Sequence, residues 1–184
     1  LQRDYNEFKN FIINQNPRVK DAIKKTHDFH TRLLRILGYE TDNAYTEPFV
    51  VNAEAEPIEM IPVRHILRRG SQVKMLIMEM QHLIPVGEQE PAGLFEQQYE
   101  SEPDRNTGVQ RYNAGQWEFV FKLDRNQYKI SPAIINKAIT QLFLMPDEHR
   151  PHFILMLAGN TVFLFDQDKW SHGSYLQFSL DELF

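Results

Sequence analysis

The sequence predicts an α/β domain: a mixed β-sheet flanked by helices, closed by a terminal β-hairpin. Three observations carry that expectation. Val19, Ala22, Ile23, Thr26, Phe29, His30, Leu33 and Leu37 recur at steps of three and four, the signature of one buried helix face. Residues 73–80 (VKMLIMEM) are nearly all apolar, as a central strand covered on both faces must be. Two apolar runs, 152–158 and 161–166, flank the dipeptide Gly159-Asn160, a strong hairpin signal.

In chain order, Tyr5, Phe8 and Ile12 give residues 4–14 a short amphipathic helix. Pro17 suits the first turn of the second helix, over 17–37, and Gly38 suits a left-handed cap at its end. The period then changes. Residues 47–52, 58–67 and 73–80 read as three strands, with Arg69-Gly70-Ser71 as the turn between the second and third. Pro62 pushes the second strand toward an edge or a bulge. Residues 85–116 hold Gly87, Gly93, Gly108 and Gly115, two prolines and an acidic stretch, and read as a solvated excursion with a candidate short helix at 94–99. Residues 117–123 read as a short strand. Ser131 is expected to cap, and Pro132 to begin, a helix reaching about Met145, with Ile134, Ile135, Ala138, Ile139, Leu142 and Phe143 facing a core. Residues 175–178 add a last strand, and one domain covers 1–184.

Composition narrows the function classes. With 184 residues, 42% hydrophobic and 24% charged, the chain can bury a real core and is not disordered. A net charge of −5 requires any nucleic-acid contact to come from a local patch. The absence of cysteine excludes disulfides, thiol nucleophiles, iron–sulfur clusters and Cys-containing zinc sites. No apolar run approaches the ~20 residues of a bilayer span, so a cytoplasmic protein with no membrane partner is expected. The chain opens on Leu1 and stops within residues 180–184, which read as a helix just beginning. It is therefore expected to be the N-terminal fragment of a longer chain.

No Gly-rich phosphate loop and no Gly-x-Ser-x-Gly elbow occurs. His27 and His30 read as a helix-surface pair, and His149 and His152 as ordinary residues at a strand entrance. Two features point to chemistry. Arg64, His65, Arg68, Arg69 and Lys74 fall within eleven residues around a turn and could bind DNA phosphates; charges that guard a sheet edge explain them equally. Glu79-Met80-Gln81 closes the apolar strand, where a carboxylate needs solvent, a partner or a metal. Glu79 and Gln81 share a strand face and could address one Mg²⁺ and its water, although a strand emerging into solvent fits too. With a tight turn at Gly70, residues summing to about 140 would pair. Ile61 would then face Glu79, and Glu59 would lie one pleat further on.

This order, helix, three strands with Glu-x-Gln ending the third, helix and strand, resembles the PD-(D/E)xK core of restriction endonucleases. Residues 151–165 (PHFILMLAGNTVFLF), Asp168-Lys169-Trp170, 173–178 (GSYLQF) and 180–184 (LDELF) are similar to the N-terminal region of large type IIG-like restriction–modification DNA methylases. With Leu34 to Tyr39, the resemblance spans most of residues 27–184. It implies a restriction-endonuclease-like core with DNA as partner. It also implies a C-terminal class I S-adenosylmethionine-dependent adenine methyltransferase domain in the same chain. Glu79, Gln81 and Glu59 would be the catalytic group, with Glu79 and Glu59 holding Mg²⁺. The second strand ends Arg64-His65-Ile66-Leu67 without the family's Asp, position 81 is Gln where Lys is usual, and no Asn-Pro-Pro-Tyr occurs, so methyl transfer cannot reside in these residues. The expected function is a DNA-handling, endonuclease-like domain of a restriction–modification or phage-defence adenine methyltransferase. The alternative is a catalytically inactive interaction domain that positions the methyltransferase or a protein partner.

Overall fold

The computed structural model describes residues 1–14, 19–39, 47–80, 94–96, 99–104, 109–114, 117–122 and 128–183. Two helices, α1 (Gln2–Asn14) and α2 (Val19–Ile36), precede β1 (Glu47–Asn52), β2 (Ile58–Val63), β3 (His65–Arg69) and β4 (Gln72–Met80). A 3-10 turn (Leu94–Glu96) leads to β5 (Tyr99–Asp104), β6 (Val109–Ala114), β7 (Trp117–Lys122) and β8 (Tyr128–Ile130). The chain ends with α3 (Ile135–Phe143), β9 (Phe153–Ala158), β10 (Thr161–Asp166), α4 (Gln167–Trp170), β11 (Leu176–Ser179) and α5 (Leu180–Leu183).

Alternation along β4 sets the layers. β4 lies inside a five-stranded sheet of order β11-β10-β9-β4-β3, parallel to β9 and antiparallel to β3. Leu76, Met78 and Met80 enter one core; Ile77, with half-buried Met75 against it, enters the other. The first core is closed by α3 and by a second mixed sheet of order β1-β2-β8, through Phe49, Met60, Ile61, Val63 and Ile130. The other core is closed by α1 and α2, where Phe8 and Phe29 stack with ring centroids 4.7 Å apart. Each fully buried side chain of this kind contributes about 1.5–3 kcal/mol by leaving water. The result is the expected mixed α/β architecture with helices on the sheet faces. Two local signals also hold. Gly38 takes φ 89° after α2, with Gly38 N–H on the Arg35 carbonyl and Tyr39 N–H on that of Leu34. Gly159 takes φ 61° in the β9–β10 hairpin.

Three expectations change. The single strand over 58–67 is two strands in two sheets, divided at Arg64. β2 pairs with β8 only over Ile58–Met60, so Pro62, which has no N–H to donate, lies beyond that ladder. The helix expected from Pro132 begins at Ile135: Ile134 is still extended (φ −83°, ψ 129°), no side chain caps the helix, and the Ser131 N–H bonds the Met60 carbonyl, continuing the β8–β2 pairing. The excursion is not only loop: β5 and β6 lie within it and join β7 as an antiparallel sheet. Its 3-10 turn is docked by Phe95, whose ring meets those of Phe163, Phe165 and Tyr175 edge-on at 5.4–5.7 Å.

Candidate functional site: a buried carboxylate between two histidines

Strand parity aims Glu79 at a helix. It shares the face of Met75 and Ile77, and its partner in β9 is Leu157, a member of the core under α1 and α2. On α2, Phe29, Leu33 and Leu34 face that core, and the helical period puts His30, and His27 one turn earlier, on the same side. The carboxylate accepts a hydrogen bond from His27 Nδ1 at Oε2 and one from His30 Nδ1 at Oε1, each 3.0 Å. His30 Nε2 lies 3.1 Å from the Gly159 carbonyl oxygen. Both nitrogens of that ring face acceptors, which only a doubly protonated imidazole satisfies at both ends.

Arg64 completes the cluster. At the β2–β3 junction its Nε lies 3.9 Å from Glu79 Oε2. Its Nη2 donates to Thr31 Oγ1 at 2.9 Å, and that hydroxyl donates to the His27 carbonyl. Glu79 is 2% exposed, Arg64 4% and His30 0%; the His27 side chain, 28% exposed, opens toward solvent. Burial alone would push the Glu79 carboxyl upward, but the hydrogen bonds and charges of His27 and His30 outweigh it and hold the group well below the usual carboxylate range.

This environment does not fit a nuclease metal. Mg²⁺ needs carboxylate oxygens open to it, whereas both oxygens of Glu79 accept N–H donors and a guanidinium stands alongside. Among the described residues, no group of three or more His, Asp or Glu side chains is arranged to hold a metal ion. Glu59 lies in the other sheet, between Asn52 of β1 and Lys129 of β8. The register that would have brought it to Glu79 does not form: β3, not β2, pairs with β4, with His65 opposite Ile77. The chain leaves one sheet for the other at Arg64, and Glu59 stays behind the crossing. Gln81 lies outside the described residues.

The five-cation patch also separates. Arg64 is inside the protein. His65 is half-buried, its ring 6.5 Å from that of Tyr39. Lys74 donates to Gln72 Oε1 at 2.6 Å and lies 3.4 Å from His152 Nε2. Arg68 and Arg69 stay exposed beside the Gly70 turn, where φ is 63°. The sequence reading missed His27 and His30 as partners of Glu79, although the signal was present. A carboxylate on the helix-facing side of a central strand needs a cation, and the facing helix offers two histidines on one face.

A second carboxylate, Asp181 in α5, ties α1 down at the surface. It accepts from Tyr5 Oη at 2.7 Å, Lys9 Nζ at 2.5 Å and Asn160 Nδ2 at 2.7 Å. Donation by Lys9 and Tyr5 lowers its pKa to about 2. No described helix is long and apolar enough to cross a membrane. Compared with protein-family models, curated proteins and solved structures, the chain matches none.

Proposed function

We propose that this chain is a non-cleaving interaction module of a DNA restriction–modification or phage-defence adenine methyltransferase. In this reading it positions the S-adenosylmethionine-dependent domain of the same protein or docks a protein partner. The observation that supports it is the state of Glu79. In the nuclease reading this residue must offer oxygen to a metal; here His27 and His30 take both oxygens, and the Arg64 guanidinium stands beside them. The placement of Glu59 in the other sheet points the same way. The methyltransferase context rests on the resemblance carried by residues 151–184.

Supercoiled plasmid incubated with the protein and Mg²⁺ or Mn²⁺ is expected to stay intact. Metal-dependent nicking that disappears in Glu79→Gln would overturn the proposal. The coding sequence beyond Phe184 is expected to contain Asn-Pro-Pro-Tyr and a cofactor-binding Rossmann unit; their absence would remove the methyltransferase context while leaving the module inactive.

One observation favours a second reading, direct DNA contact. Arg68 and Arg69 stand exposed at the tip of the β3–β4 hairpin, where two guanidinium groups can reach backbone phosphates.

A further inference from the structure

We infer that the outer edge of β11 pairs antiparallel with the same edge of a second copy of this chain, joining two five-stranded sheets into one. This goes beyond the function proposed above and does not depend on the methyltransferase context. The sheet ends on β3 at one side and on β11 at the other. Arg68 and Arg69 stand exposed on β3, charges of the kind that discourage another strand. From Gly173 to Leu180 the β11 edge carries no charged residue, and Leu176 and Phe178 are 56% and 44% exposed. Its backbone is open as well. The Leu180 N–H bonds the Asn160 carbonyl, and the β10–β11 register continues from Thr161 opposite Ser179 to Leu164 opposite Leu176. Alternation along an antiparallel ladder then turns the N–H and C=O of Leu176 and Phe178 toward β10. Those of Gln177 and Ser179 point away from it, where no described strand pairs with them.

A second copy fits because the edge is complementary to itself. With a two-fold axis at Gln177, the Gln177 N–H and C=O exchange hydrogen bonds with those of the other Gln177, and Leu176 of each copy lies opposite Phe178 of the other. Both side chains share a face with Leu164 and Val162, and Val162 packs against the core under α1 and α2. Each exposed apolar side chain thus meets an apolar one across the axis, and that layer runs on from one copy to the next. Charge sets the direction. The uncharged stretch is bounded by His172 at one end and by Asp181 and Glu182 at the other. Antiparallel pairing sets His172 of one copy near the acidic end of the other; parallel pairing would set the two acidic ends side by side.

The test is sedimentation equilibrium of the intact protein over a wide range of concentration, where the average mass should rise toward twice that of one chain. Gln177→Pro removes an N–H that points away from β10, so it should abolish the rise while keeping the melting temperature of the monomer. Leu176→Lys and Phe178→Glu should each stay monomeric alone and associate when mixed, because the two new charges then meet across the axis while the other half keeps Leu opposite Phe. In the wild type, amide exchange at Gln177 and Ser179 should slow as concentration rises, a readout that needs no variant to fold. A mass that stays constant would overturn the inference and give this edge to another partner. A dimer that survives Gln177→Pro would move the contact to another face, and single variants that stay apart on mixing would reject the register.

Discussion

Glu79 and Asp181 fasten the two N-terminal helices by the same device in opposite surroundings. Each carboxylate uses both oxygens as acceptors, and each knot reaches the β9–β10 turn: His30 through the Gly159 carbonyl, Asp181 through the Asn160 side chain. Glu79 does this in a site 2% exposed. The Asp181 side chain is 36% exposed. If a partner is lost at Asp181, water takes its place. Glu79 is screened from bulk solvent, so the same exchange costs more there, and a charge left without its partner is penalised by burial. The strength of such a knot therefore lies less in its hydrogen bonds than in what replaces them when they break.

The largest effect expected from this contrast is in Glu79→Ala, which removes the carboxylate that accepts from His27 and His30 and lies beside the buried Arg64 guanidinium. It should cost about 3–5 kcal/mol in urea unfolding. Asp181→Ala, at an exposed site, should cost no more than about 1 kcal/mol. Equal losses at the two sites would break the comparison. Replacing the buried set together, as Glu79→Met with His30→Leu and Arg64→Met, should recover much of the loss, since desolvation is then removed along with attraction.

The layers of this molecule were legible in the sequence, and its site only in part. The alternation of residues 73–80 and the helical steps of 19–37 report burial directly, because only one side of each element can face a core. That is why Ile77 and Leu76 separate into the two cores as expected. The same alternation puts Glu79 on the face of Met75 and Ile77, but the sequence reading gave that face to a metal or to solvent, because the carboxylate's partners are set by how far α2 slides along the sheet, which no local pattern records. Strand 58–67 failed for a related reason: no turn residue marks a break at Arg64, and the two halves are divided by their partners, β1 and β8 for β2 and β4 for β3, which lie elsewhere in the chain. The strands of the excursion were hidden by glycine, proline and acidic residues that read as loop.

Acid should separate the knots next. Asp181 has its pKa lowered from 3.8 to about 2, so its contribution is fully present above 3.8 and fades as pH falls toward 2. The stability difference between the wild type and Asp181→Asn should shrink across that window. Glu79 is also depressed below 4.5, so its contribution is present above 4.5 and fades as pH falls below it. Denaturant titrations of the two Asn and Gln variants at stepped pH values read this directly. A Glu79→Gln difference that stays constant below pH 4.5 would show that His27 and His30 do not hold the buried carboxyl down.

The smallest effect on stability, and the sharpest on binding, is expected at the hairpin tip. Arg64 and Arg68 belong to one stretch of chain, yet one is buried beside Glu79 and the other stands in water. Reversing the tip charges in Arg68→Glu with Arg69→Glu should change stability by no more than about 0.5 kcal/mol, since neither side chain is buried. If the tip meets DNA, the wild-type chain should raise the fluorescence anisotropy of a labelled duplex at low salt, with a binding constant that falls steeply as salt rises, because each phosphate contact releases a counterion. The double variant should lose that signal while keeping its fold. Arg64→Met should do the reverse, weakening the fold while leaving the exposed pair in place. Binding retained by the tip variant, or no anisotropy change with the wild type at low salt, would assign these two arginines to guarding the open edge of β3 against another strand.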